Sequence, residues 1–312
     1  MAEAHRHGGH SHDHRQHAEA GSFDAAFAWA AALNGGFVLA EVGFGLVANS
    51  VALLADAAHN FGDMLGLLLA WGAAWLGRRL PTRRRTYGFG RSSILASLAN
   101  AVVLLLGVGA ISVEAIQRLV GSAAAPPVAS VMVMIVATIG IAINGVTAML
   151  FARGRHGDLN VKAAFLHLAS DAVISAGVVI AGFLILMTGW QWLDPAVSLA
   201  IAIVIIISTW GLLRESADLA LDTVPAGMDR EAVEIYLRGL PGVIAVHDLH
   251  IWAISTTETA LTAHLVRPGA GTDDALLQEV CAELKRRFAI GHATFQIEEG
   301  GAICVLEPDH VV

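Results

Sequence analysis

Long apolar stretches broken by short polar connections fill the first two thirds of the chain, and their lengths set the first prediction. The hydrocarbon core of a bilayer is about 30 Å thick and takes roughly 20 apolar residues in a helix. Six segments reach that length, at about residues 24–48, 51–77, 91–118, 127–152, 161–188 and 193–213. After Leu213 the pattern changes, and Pro225-Ala-Gly-Met228 opens a stretch of shorter periods. Asp229 to Arg238 carries a helical stripe, and Val243 to Ile254 and Thr259 to Val266 alternate as strands. Asp273 to Phe288 is again helical, and Ala293 to Glu298 closes with a strand. The predicted architecture is an all-α bundle of six transmembrane helices followed by a small α+β domain of αββαβ order. The expected divisions are a tail over 1–22, the membrane part over 23–214, a linker over 215–226, the soluble domain over 227–306 and a short tail over 307–312.

Composition supports a polytopic membrane protein. Of the 312 residues 55% are hydrophobic and 15% charged, against about 25% charged in soluble domains. Mean hydropathy is +0.63. The N-terminus is a polar tract rather than a basic start leading into a short apolar run, so the first apolar segment is expected to be retained and not cleaved as a signal peptide. Basic residues then set the orientation. Arg78, Arg79, Arg83, Arg84 and Arg85 follow the second segment, and Arg153, Arg155 and Lys162 flank the link between the fourth and fifth. The opposite turns, Ala48 to Ser50, Gly121 to Pro127 and Thr188 to Asp194, carry no Lys or Arg; Arg118, at the end of the third segment, is the one basic residue assigned to that side. The basic loops and both termini are therefore expected in the cytoplasm, with the chain in the cell inner (plasma) membrane. Trp190 and Trp192, at a far-side turn, suit the headgroup level. The net charge of -8, with no Lys/Arg-rich face, excludes a nucleic-acid partner. Cys281 and Cys304 form no CxxC unit and suggest neither a disulfide framework nor a Cys-rich metal site.

Two membrane segments carry chemistry that packing does not require. The second contains Asp56-Ala-Ala-His59-Asn-Phe-Gly-Asp63 and the fifth contains His167-Leu-Ala-Ser-Asp171. Each sets a His and an Asp four residues apart, on one face of a helix. Facing each other, His59, Asp63, His167 and Asp171 would offer two nitrogens and two oxygens, a set suited to tetrahedral zinc. An ionised Asp at mid-bilayer costs at least ~2.5 to 3.5 kcal/mol. A divalent ion held by two carboxylates and two neutral imidazoles is formally charge-balanced, which relieves that cost. Emptied, the same four residues take up protons, so proton antiport follows from the site chemistry. Asp56, three residues before His59 on the same face, is a further candidate for proton coupling. Asn34, Glu41 and Glu114 are intramembrane polar residues without a recurring ligand pattern.

With these motifs in place, the chain resembles the cation diffusion facilitator family, proton-coupled zinc exporters and their bacterial cobalt-zinc-cadmium relatives. The resemblance rests on Asn34 to Glu41, Ser50-Val-Ala-Leu-Leu-Ala-Asp-Ala-Ala-His-Asn-Phe-Gly-Asp63, Tyr87-Gly-Phe-Gly-Arg91, Asn160 to Asp171, Gly189 to Pro195 and His247-Asp-Leu-His-Ile-Trp252. It implies a homodimer, a transport site on the second and fifth helices, and a ferredoxin-like cytoplasmic domain that binds metal and regulates transport. By the same resemblance His247, His264, Gln296 and Glu298 match positions that form metal sites in relatives, and His250 and His292 lie on the neighbouring strands. Pro81 to Gly90 lacks the His and Asp residues that give some members a loop-borne site, so none is expected. Only His156 lies in the link before Asn160, where many eukaryotic members carry a long His-rich loop, which points to a bacterial origin. The histidines concentrate instead at His5, His7, His10, His12, His14 and His17, in a tract without apolar periodicity that is expected to be disordered and to gather metal weakly.

The expected function is proton-coupled export of zinc, with cobalt, cadmium or nickel as further cargo. Zinc is then substrate and regulatory ligand rather than a cofactor, and the partners are divalent metal ions, protons, membrane lipid and a second copy of the chain. The rivals are a membrane-anchored metal sensor and an intramembrane metalloenzyme. The chain has no GxxxxGK[ST] phosphate loop and no HExxH. Protein side chains would fill all four donor places, where a hydrolase needs an open position for water. No enzymatic activity is expected.

Overall fold

The computed structural model describes residues 34–121, 126–151, 159–269, 274–301, 304 and 306. The His-rich tract, the start of the first predicted helix, His156 and the tail over 307–312 lie outside them. The chain divides into two compact units, Met1–Met64 with Gly121–Val197 and Leu65–Val120 with Ser198–Val312.

The first unit contains α1 (Asn34–Val47), the beginning of α2 (Val51–Gly77), α4 (Ser130–Phe151), α5 (Leu159–Thr188) and the first turn of α6 (Leu193–Ala220). Small residues let these helices approach closely. A Cβ on Gly182 of α5 would lie 2.9 Å from Met134 Cγ and 3.4 Å from the Ser130 carbonyl oxygen of α4. Asn49, with φ 53°, turns the chain tightly between α1 and α2. The start of α2 is tied to the start of α6: the Val51 N–H donates to Asp194 Oδ2 at 2.7 Å, and the Ser50 hydroxyl donates to Asp194 Oδ1. The N–H groups of a helix's first turn have no partner within the helix, and a carboxylate satisfies them and complements the helix dipole.

The second unit contains the rest of α2 and α6, α3 (Ser92–Val120) and the soluble fold. A Cβ on Gly66 of α2 would lie 2.9 Å from Asn100 Nδ2 of α3, so a larger residue there would force the Asn100 amide to move. The soluble fold runs α7 (Arg230–Arg238), β1 (Ala245–Ala253), β2 (Thr259–Val266), α8 (Asp274–Phe288) and β3 (Ile290–Glu298). Asp229 caps α7 by accepting the Ala232 N–H at 3.1 Å. The sheet order is β1-β2-β3, antiparallel between β1 and β2 and parallel between β2 and β3. Val233 and Leu237 of α7 and Val280 and Leu284 of α8 bury one face of the sheet through Val246, Ile251, Leu261, Ala263, Leu265 and Ile290. The alternation of strand side chains leaves His264, Gln296 and Glu298 together on the other face. The β1–β2 turn docks on the start of α3, where the Thr256 N–H donates to Ser93 Oγ at 3.0 Å.

Four of the described helices are long and apolar enough to cross a membrane: Ser92–Val120, Ser130–Met149, Phe165–Thr188 and Leu193–Ala220. The 27 residues of α2 span about 40 Å at 1.5 Å per residue, but Asp56, His59, Asn60 and Asp63 lower its hydropathy. Of the first predicted segment the described part is the shorter apolar helix Asn34–Val47. α6 continues to Ala220, past the expected end near 213 and into the stretch predicted as linker. That last part is polar, and Arg214 and Asp218 pair across one turn at 3.9 Å.

Candidate metal centre

α2 and α5 meet through a ladder of polar pairs that descends one helix as it climbs the other, so they pack antiparallel. Asp63 faces His167, His59 faces Asp171, and Asp56 faces Ser175. Each step is one helical turn, the spacing that the His-x-x-x-Asp motifs demand.

The two lower rungs bring all four predicted ligands together. His59 Nε2 lies 3.0 Å from Asp171 Oδ1 and 3.7 Å from Asp63 Oδ2. His167 Nε2 lies 3.5 Å from Asp63 Oδ2 and 3.7 Å from Asp171 Oδ2. The ligand atoms of His59, Asp63 and Asp171 all fall within 4.8 Å of one another. A tetrahedral ion with bonds of about 2.0 to 2.1 Å has donors about 3.3 to 3.4 Å apart, and the observed separations bracket that edge. Asp63 Oδ2 is buried with no hydrogen-bond partner, facing both imidazoles at distances too long for a hydrogen bond. A cation between them would satisfy that oxygen. Exposure is graded along the ladder: the side chains of His167 and Asp63 are 49% and 33% exposed, those of His59 and Asp171 14% and 5%. Asp56 is wholly buried and lies one rung above, its Oδ2 accepting from the Ser175 hydroxyl at 2.8 Å.

A second cluster lies on the face of the soluble sheet away from the α7 and α8 core. Ligand atoms of His247, His264, Glu298 and Cys304 fall within 4.8 Å of one another. His247 Nε2 is 3.4 Å from Glu298 Oε2, His264 Nδ1 is 3.0 Å from Glu298 Oε1, and Cys304 Sγ is 3.6 Å from His264 Nδ1. Burial alone would push the Glu298 carboxyl up, but hydrogen bonds from Gln296 and Cys304 and the adjacent His247 and His264 outweigh it and hold the group below its ordinary value. Cys304, whose spacing gave no metal signal, joins this cluster. Asp248 was also missed: a bulge in β1 between His247 and His250 puts it at φ 50° and brings its carboxylate 3.3 Å from His264 Nε2 and 2.8 Å from His250 Nε2. Bulges re-aim side chains in this way. Gln296 lies in register with His264 but donates to Glu298 Oε1 at 2.9 Å, so it acts on a neighbouring side chain. His292 stands apart, its ring edge-on to Tyr87 with centroids 5.5 Å apart.

Comparison with known proteins gives the family. Residues 28–219 match the family described as cation efflux transmembrane domain, and residues 225–300 match the cation efflux protein cytoplasmic domain. The metal cation efflux system protein CzcD of Cupriavidus metallidurans is 37% identical over 295 residues, covering 93% of this chain and 90% of the relative. The zinc transporter ZitB of Escherichia coli is 34% identical over 292 residues, covering 93% and 92%. The cadmium, cobalt and zinc/H(+)-K(+) antiporter of Bacillus velezensis is 32% identical over 268 residues, covering 84% of each. With these relatives aligned along nearly its whole length, and the His and Asp residues of α2 and α5 gathered into one donor set, the chain belongs to the cation diffusion facilitator family of multi-pass membrane cation efflux proteins.

Proposed function

We propose that this protein is a homodimeric, proton-coupled exporter of zinc in the cell inner membrane, with both termini and the soluble domain in the cytoplasm. The observation that carries the reading is the quartet His59, Asp63, His167 and Asp171, whose donors stand 3.0 to 3.7 Å apart across two antiparallel helices. Two carboxylates and two neutral imidazoles neutralise a divalent ion, and the donor set suits zinc, with cobalt and cadmium as further cargo. The relatives' names support this, since ZitB is a zinc transporter and the Bacillus protein is named for cadmium, cobalt and zinc exchanged with protons and potassium.

The orientation given by the basic loops puts the exposed rung, Asp63 and His167, on the cytoplasmic side and the sealed rung, Asp56 and Ser175, on the exit side. This graded exposure fits a state that loads from the cytoplasm. Once the site turns outward, protons replace the ion on the same atoms. Protein donors occupy all four places and leave none for an activated water, so the site serves transport and not hydrolysis. His247, His264, Glu298 and Cys304 serve as a regulatory metal site on the cytoplasmic domain. The test is zinc uptake into vesicles reconstituted with the purified protein under an imposed proton gradient, for the native chain and for Asp171→Ala. Native uptake that Asp171→Ala abolishes is expected. Absence of gradient-driven flux, or flux undiminished by the substitution, would overturn the reading.

A further inference from the structure

Besides Asp194, which joins the starts of α2 and α6, the described membrane helices bury two carboxyls that hold no place among the four ligands. Glu41 of α1 and Asp56 of α2 are both wholly buried. Each is anchored through one oxygen by a neutral donor: Asn60 Nδ2 to Glu41 Oε2 at 2.9 Å, and the Ser175 hydroxyl to Asp56 Oδ2 at 2.8 Å. The other oxygen of each, Glu41 Oε1 and Asp56 Oδ1, is buried with no hydrogen-bond partner.

That pattern points to a ligand. A buried acceptor without a donor carries a desolvation penalty, and the penalty grows when the group is ionised in hydrocarbon. Lys and Arg are absent from the described side chains of α1, α2, α4 and α5 near the pair. α1 offers only Glu41 and α4 no titratable group; besides Asp56, the titratable groups among the described side chains of α2 and α5 are His59, Asp63, His167 and Asp171. When zinc fills that quartet its charge is already balanced, and nothing remains to neutralise Glu41 and Asp56. A proton on each orphan oxygen does so at the smallest volume, and volume is scarce. A Cβ on Gly140 of α4 would come within 2.9 Å of Phe37 Cζ and 3.2 Å of Ser175 Oγ, so α4 closes tightly over this layer.

We propose that Glu41 and Asp56 form an exit-side proton station, separate from the metal ligands, that carries protons exchanged for the departing ion. Asn60 and Ser175 are its positioning residues. Both are tied to the ligand helices: Asn60 follows His59 directly, and Ser175 lies one turn beyond Asp171 on α5. A rearrangement of the quartet as metal leaves therefore moves the donors that anchor the two carboxyls. The step balances as proton transfer alone. A proton from the exit-side solution binds each carboxylate oxygen, and the same proton later leaves, restoring the carboxylate. No bond other than O–H forms or breaks.

This inference rests on the proton-coupled reading above, and the experiment separates the two. Proteoliposomes containing the full chain, native or carrying Glu41→Gln, Asp56→Asn or both, are assayed for zinc uptake driven by a proton gradient and for exchange of labelled zinc against zinc at uniform pH. Zinc affinity is titrated on the purified protein. Affinity and zinc-for-zinc exchange should stay within about threefold of native, while gradient-driven uptake falls by about tenfold or more. Glu41→Asp and Asp56→Glu, which keep a carboxyl, should restore part of the uptake; this rescue also serves if an amide variant fails to fold. Native uptake in all the amide variants, parallel loss of exchange and uptake, or no rescue would overturn the proposal. If the native protein itself shows no gradient-driven uptake, the transport reading falls, and this inference with it.

Discussion

Asp171→Asn tests the charge balance of the membrane quartet, because it keeps the side chain's shape and removes one negative charge. Asp171 is 5% exposed, with Oδ1 3.0 Å from His59 Nε2 and Oδ2 3.7 Å from His167 Nε2. With zinc bound, the native site is neutral and the variant retains one uncompensated positive charge. Removing one partner from a buried charged set costs about 3 to 5 kcal/mol, and about 1.4 kcal/mol is a factor of ten. Zinc affinity should therefore fall by about a hundredfold to several thousandfold. Asp63→Asn makes the same chemical change at a side chain 33% exposed, where water can screen the charge, so its loss should be smaller by about a factor of ten. The assay is equilibrium zinc titration of the purified full chain in a His264→Ala background, which removes a donor from the soluble cluster. Affinity within threefold of native for Asp171→Asn, or a larger loss for Asp63→Asn than for Asp171→Asn, would refute the reasoning.

Two further outcomes follow from the fold. Asp194→Ala removes the carboxylate that receives the Val51 N–H at 2.7 Å, so thermal melts should show destabilisation of about 1 to 2 kcal/mol; Asp194→Asn, which keeps one acceptor oxygen, should recover part of it. Glu298 is held below its ordinary carboxylate value in the folded protein, so its stabilising contribution is complete above the unfolded value and is lost as pH falls through the folded one. Melting of the native chain should accordingly drop as pH falls below about 4.5, and Glu298→Gln should show a shallower drop over the same interval.

The parts of this structure legible in the sequence are those fixed by local periodicity. The four-residue spacing of His59 with Asp63 and of His167 with Asp171 places each pair on one helix face whatever surrounds it, and α2 and β2 begin and end where their apolar patterns do. Long-range contacts were less legible. Glu41 carries no motif in α1, and its importance emerges only from its contact with Asn60 and its bare second oxygen. Cys304 reaches His264 across 40 residues, a proximity that cysteine spacing cannot encode. β3 starts at Ile290, three residues before its predicted start, because Ile290 pairs with Thr259 and is buried in the core, while Gly291 and His292 hide the alternation. The β1 bulge escaped notice for a related reason, since His247-Asp-Leu-His250 reads as unbroken strand until Asp248 adopts its positive φ.

The carboxylate of Asp194 has a mechanical consequence. It joins the first turns of α2 and α6 through a backbone N–H and a hydroxyl, in a buried spot. Such a joint resists separation but permits rotation, because both contacts sit close to a single point. It pins the N-terminal ends of the two helices to each other. Because Asp63 lies twelve residues beyond Val51, about 18 Å farther along α2 at 1.5 Å per residue, any tilt of the helix about that joint would displace Asp63 more than Asp56.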